Sequence, residues 1–207
     1  ADSHNHRIRR VDRLTGVITT VAGSGMDGYD GDEKPATEAA LHTPSAVAVT
    51  ANGDLYIADT LNYRIRMVDA KTGLIHTIAG DGVPGEDPAE IGDGGPAANA
   101  RLNMPSDVAL AANGDLYIAD MHDNRIRKID AKSGVITTVA GSGSWGAWGN
   151  GGPATQAALA GPAGEHFGHA ERLAQKTLNL AGAIDGQLVV RREFVHAQDR
   201  DDVLEIF

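Results

Sequence analysis

Histidines, aspartates and two tryptophans, all in loop-like sequence, are where this chain could do chemistry. His4, Leu61 and His122 occupy one position of a recurring phrase, and His6, Tyr63 and Asn124 occupy another. Histidine can serve as a base or a metal ligand near neutral pH. Positions that change identity from copy to copy are where a shared scaffold would gain a ligand. His4, His6, Tyr63, His122 and Asn124 are therefore candidate ligand-binding residues, each with the blander reading of a solvated loop side chain. Asp27-x-x-Asp30-x-Asp32-Glu33 could offer several hard oxygens to Ca²⁺, although its spacing is not that of an EF-hand loop. Trp145 and Trp148 stand in glycine-rich sequence, and aromatic side chains on a loop favour recognition of a protein or a carbohydrate. The alternative is that they cover the C-terminal sequence. His166, His169 and Glu171 share a short stretch without an evident third ligand. Searches for a Gly-x-Ser-x-Gly elbow, a His-Glu-x-x-His pair and a Walker loop find nothing.

Gly23-Ser24-Gly25-Met26-Asp27-Gly28 matches the spacing of a dinucleotide fingerprint, as do the stretches beginning at Gly80 and Gly141. A dinucleotide site needs one such loop opening directly into a long helix. Three copies in phase, each followed by more turn residues, mean repeated loop chemistry. The match is a false positive.

The elements that position these residues are repeated as well. Ala58-Asp59-Thr60-Leu61-Asn62-Tyr63-Arg64-Ile65-Arg66-Met67 has counterparts starting at Ala1 and Ala119, a period of roughly 60 residues. Each full copy reads as four short strands. In the second copy these are Pro44 to Val49, Asp54 to Ala58, Arg64 to Asp69 and Leu74 to Ala79, with Asn52-Gly53 as the hairpin signal between the first two. A linker then leads to the next copy through Pro35-Ala36-Thr37-Glu38-Ala39-Ala40-Leu41, with counterparts from Pro96 and Pro153; proline before alanine-rich sequence predicts about two turns of helix. Asp59, Asn62 and Arg64 recur in each copy or nearly so. The favoured reading is structural: the Asp or Asn fixes the turn and the Arg pairs with a carboxylate.

Ala-Asp-x-x-Asn-x-Arg-Ile-Arg, then Val/Ile-Asp, then Thr/Ser-Gly-x-Ile-x-Thr-Val/Ile-Ala-Gly resembles the NHL repeat. The bacterial kind is the nearer likeness, through Gly92-Asp93-Gly94-Gly95-Pro96-Ala97. The resemblance covers about residues 1–162, with Tyr63 where the family often has His and Asp123 in place of Asn. It implies blades of a six-bladed β-propeller, mostly a binding module, with enzymes among relatives of that shape. In six-bladed lactonases calcium ligands lie near the ends of inner strands. By that likeness Asp107, whose counterpart is Ala46, is the best single metal candidate, against the favoured reading of an aspartate that caps a turn.

The expected architecture is thus an all-β partial propeller of four-stranded antiparallel blades over residues 1–162. A small α+β tail follows over 163–207, with helical spacing from Phe167 to Ala181 and a strand from Gln187 to Val195. The first copy supplies the outer half of a blade, so each chain carries somewhat under three blades and a homodimer could complete a ring of six. A net charge of −10 on 207 residues argues against nucleic acid. No apolar run is long enough to span a bilayer, no signal peptide is legible, and the chain reads as a processed or excised product or a fragment of something longer. Cysteine is absent, which excludes disulfides and thiolate metal sites. The expectation is a binding module for a protein or carbohydrate, extracellular, at the cell surface or periplasmic. The rival is a Ca²⁺-dependent hydrolase of the lactonase type.

Overall fold

The computed structural model describes residues 1–85 and 90–163. Strands β1 (Ile8–Val11) and β2 (Ile18–Ala22) form an antiparallel pair, the outer half of a blade. In the linker that follows lies the short β3 (Lys34–Pro35). Next come β4 (Pro44–Val49), β5 (Leu55–Asp59), β6 (Arg64–Val68) and β7 (Leu74–Ala79), which pair in sequence order, with β3 added beside β7. The last blade repeats the meander as β8 (Pro105–Leu110), β9 (Leu116–Asp120), β10 (Arg125–Ile129) and β11 (Ile136–Ala140). The chain is therefore an all-β partial propeller. The expected helix and strand of the tail fall outside the described residues. Among those described, no helix is long and apolar enough to cross a membrane.

Consecutive blades pack face to face, and the first strands β4 and β8 lie against one another, as blades about a common axis do. The core is consequently not inside a blade but between blades. One cluster joins Ile8 and Ala22 of the half-blade to Ile57, Val68 and Ile75 of the next, with Ala36, Ala39 and Leu41 of the linker wedged between. The second joins Ile65 and Ala79 to Val108, Ile118 and Ile136 through Ala97, Ala100 and Leu102. Small alanines let the sheets approach, and each fully buried leucine stabilises by about 1.5–3 kcal/mol.

One local expectation changes. The alanine-rich linkers make a single 3₁₀ turn, Ala97–Asn99 and Ala154–Gln156, rather than two turns of helix. The cause is competition for carbonyls: Ala97 O accepts from Gly80 N–H and Ala100 O from Asp81 N–H, so the linker bonds back to the preceding strand instead of winding on. The hairpin at Asn52-Gly53 turns over the four residues expected between the strands, Thr50 to Gly53. Gly53 N–H donates to Thr50 O, Thr50 N–H donates to Asp54 O, and of the pair only Gly53 has positive φ. This is a type I turn closed by a left-handed glycine.

Candidate functional site

The ten-residue phrase folds as the end of a second strand, one 3₁₀ turn, a left-handed residue and the start of a third strand. Asp59 is its centre and is fully buried. His42 N–H donates to Asp59 Oδ1 at 2.7 Å, while Asn62 Nδ2 (2.8 Å) and Arg66 Nη1 (3.4 Å) reach Oδ2. Burial pushes the Asp59 carboxyl above its usual range even so, against the Asn62 and His42 hydrogen bonds that favour the carboxylate. Fully buried Arg66 also donates to Asp32 Oδ1 at 2.7 Å and Gly31 O at 3.0 Å, tying the linker to the blade. The third copy matches: Asn103 N–H and Arg127 hold Asp120, and Arg127 reaches Asp93 Oδ1 at 2.7 Å. Sequence reasoning gave the pairing role to the first arginine of the phrase. The second arginine holds the carboxylates, while Arg64 and Arg125 donate to backbone carbonyls.

Those first arginines account for the glycine-rich loops. An added Cβ on Gly25, Gly82 or Gly143 would strike the guanidinium of Arg7, Arg64 or Arg125 at 2.1–2.4 Å. One on Gly23, Gly80 or Gly141 would lie 2.2 Å from the carbonyl oxygen of His6, Tyr63 or Asn124. With φ of +91° as well, Gly80→Ala is expected to cost at least about 2 kcal/mol, since backbone strain and overpacking add. Gly16→Ala, with φ of +70° but nothing within 4 Å, should cost about half of that or less. Urea midpoints of the two variants test the difference.

His6, Tyr63 and Asn124 all take the left-handed conformation, with φ near +50°. His6 Nδ1 accepts from Thr43 N–H at 3.1 Å and Asn124 Oδ1 from Gly161 N–H at 3.0 Å, so both staple their turn to the residue before the next blade's proline. His4 is exposed, and His122 is exposed at the rim of a cavity. Of the carboxylates considered for calcium, Asp27 is exposed, Asp30 holds Lys34 and Ala40 N–H, and Asp32 holds Arg66. Asp107 is half-buried at the start of β8, and burial raises its carboxyl above the usual range. Among the described residues no three His, Cys, Asp or Glu side chains are placed to hold a metal ion.

The third copy departs from the second at one place. In the second, Asn62 Nδ2 also donates to Gly28 O at 2.7 Å, and the Tyr29 ring lies 3.9 Å from the Arg64 guanidinium and 4.9 Å from that of Arg66. In the third, Asp123 stands for Asn62 and cannot make that donation when ionised. Asn103, at the place of His42, supplies it instead, with Nδ2 at 2.9 Å from Gly85 O. Asp123 is left 7% exposed with Oδ2 buried and unpartnered. Its carboxyl is raised by burial; its neighbour Asp120, desolvated and facing Asp123, is pushed up to about 7. Gly85, Asn103, His122, Asp123 and Arg125 are among the residues that line a depression of about 270 Å³ beside this carboxyl. The Asn-to-Asp change was visible in the sequence; its coupling to position 103 was not.

Trp145 and Trp148 project from the last linker, 74% and 57% exposed. Trp145 packs beside Gly161 and Trp148 beside Gly146, so glycines without side chains leave each ring a seat and an open outer surface.

Residues 2–69 and 70–159 match the family profile of the teneurin NHL domain. Human teneurin-4 is 38% identical over 144 residues, covering 66% of this chain and 5% of that protein. Chicken NHL repeat-containing protein 2 is 35% identical over 159 residues, covering 70% of this chain and 21% of that protein. The chain thus spans only a small part of these relatives. A crystal structure of a Bacteroides thetaiotaomicron protein of unknown function superposes with a TM-score of 0.58 at 18% identity, over 77% of this chain and 36% of that one.

Proposed function

From a chain that belongs to the teneurin NHL-domain family, we infer a binding module that presents its linker and turn loops to a protein or carbohydrate ligand. The observation that carries this reading is the pair of exposed tryptophans. The scaffold around them repeats, yet Trp145 and Trp148 stand where the first linker has Asp27 and Asp30. Two indoles exposed to this extent offer flat aromatic surface, on which sugar rings and apolar protein anchors stack. Binding is measured by probing glycan arrays and immobilised extracellular proteins with the purified chain. The expected result is a ligand whose affinity falls at least tenfold in Trp145→Ala/Trp148→Ala, with unfolding midpoint unchanged. Retained affinity in that variant would sink the assignment to this loop.

The setting we propose is extracellular, cell-surface or periplasmic, in keeping with teneurin relatives. Among the described residues β1 pairs only with β2, which leaves one edge of the half-blade open to further strands. A second copy of the chain or the remainder of a longer one would complete that blade and close the ring. Native mass spectrometry tests closure between copies: a dimer supports it, and a monomer overturns it.

A further inference from the structure

We propose that the tryptophan loop takes an uncharged oligosaccharide. This rests on that loop being the binding surface and adds the class of ligand. The three linkers differ sharply in charge. The first, residues 23–43, carries Asp27, Asp30, Asp32, Glu33, Lys34 and Glu38, and the second carries as many charged residues between 80 and 104. Residues 141–161 carry none, in a chain that is 22% charged with a net charge of −10. Trp145 and Trp148 stand for Asp27 and Asp30, Asn150 for Asp32, and Gln156 for Glu38. At the last two places an acid is replaced by the amide of the same shape. A carboxylate only accepts hydrogen bonds, whereas an amide both accepts and donates, as a sugar hydroxyl does. Asn150 and Gln156 are exposed, and among the described residues their side-chain amides meet no partner.

The loop is pinned along its backbone. Ser142 N–H donates to Ala157 O, Gly146 N–H to Leu159 O and Ala158 N–H to Trp148 O. The indoles therefore stand on ordered chain, which lowers the cost of fixing them in a complex. Protein interfaces draw on Arg, Met, Tyr and Phe beside Trp. Here the exposed residues of 141–161 other than the indoles are Gly, Ala, Ser, Thr, Pro, Asn and Gln alone. Flat rings edged by neutral amides suit a sugar, whose C–H face stacks on indole while its hydroxyls meet the amides. Two stacking faces call for more than one sugar unit.

Trp145 and Trp148 are the two tryptophans of the chain, so indole emission reports on this loop alone. The full chain is titrated with cellohexaose, maltohexaose and chitohexaose, and with hexagalacturonate and a heparin hexasaccharide as acidic counterparts. At least one neutral member should give a saturable blue shift, with affinity at least tenfold above either acidic one. Asn150→Asp/Gln156→Glu, which restores two carboxylates of the first linker, should weaken that sugar at least threefold by calorimetry while leaving the unfolding midpoint unchanged. Should this variant fail to fold, the preference of the wild type for neutral over acidic sugar decides alone. No saturable binding across the neutral panel, equal or tighter binding of an acidic member, or unchanged affinity in the folded variant would overturn the proposal. If no neutral sugar binds but a protein ligand is lost in Trp145→Ala/Trp148→Ala, the sugar class falls and the binding-module reading stands. Neutral-sugar binding that survives in that variant overturns both.

Discussion

Arg127→Ala is expected to destabilise the chain by about 3–5 kcal/mol, the usual cost of breaking a buried ion pair from one side. The guanidinium is fully buried and joins three parts of the structure: Asp120 at the end of β9, Asp93 in the linker and the carbonyl of Ile91. Truncation leaves Asp120 without its cation and Asp93 without its partner, and opens a void at the blade interface. At this chain length the loss corresponds to a fall in Tm on the order of 10 °C. The Asp120 carboxyl is already pushed up to about 7. Below that pH it holds a proton and needs the arginine less, so the penalty should be smaller at pH 5 than at pH 8. Urea unfolding of wild type and variant at the two pH values measures both effects. A loss under about 1 kcal/mol at pH 8 would show that Arg127 is tolerated in the core rather than organising it.

Much of this organisation was legible in the sequence, because repetition is read before any local motif. The strands β4 to β11 follow from three in-phase copies, and the glycine spacing that mimicked a dinucleotide loop was rejected by its own repetition. What the repeat could not convey is which of two arginines, two residues apart, turns inward. Arg64 and Arg66, at this spacing, share one face of a regular strand, and only the partners arriving from the linker, Asp32 and Gly31 O, assign the buried role to Arg66. The linker turn was overestimated for a related reason. Its carbonyls are taken by amides of the glycine loop roughly seventeen residues earlier, a long-range competition that local propensity does not contain. The positions singled out for variability divide in the same way. His6 and Asn124 carry inter-blade hydrogen bonds, whereas His122 and the tryptophans face solvent. Variation between copies marks a position free of the repeat's common constraint, and a different local partner satisfies that freedom as well as a ligand does.

Asp123→Asn is expected to stabilise the protein by about 1–2 kcal/mol near pH 7.5, the worth of a hydrogen bond to a charged group gained in a buried place. The second copy supplies the template. There Asn62 donates to Asp59 Oδ2 at 2.8 Å, so the carboxylate is bonded where Asp120 instead meets a second acid. The sign of the pH dependence follows from the raised Asp120 carboxyl. The folded chain keeps a proton on this acid up to about pH 7, which the unfolded chain releases near 3.8, so the folded state binds more protons in between. Stability contributed by this group is therefore fully present below about pH 4 and is lost as the pH rises through about 7. Asp123→Asn removes the facing charge and should flatten that decline; burial alone keeps Asp120 somewhat raised, as it does Asp59. The variant's advantage should thus be largest above pH 7 and shrink towards pH 5. Urea midpoints taken across this range decide it, and an advantage independent of pH would assign the gain to packing rather than to the acid pair.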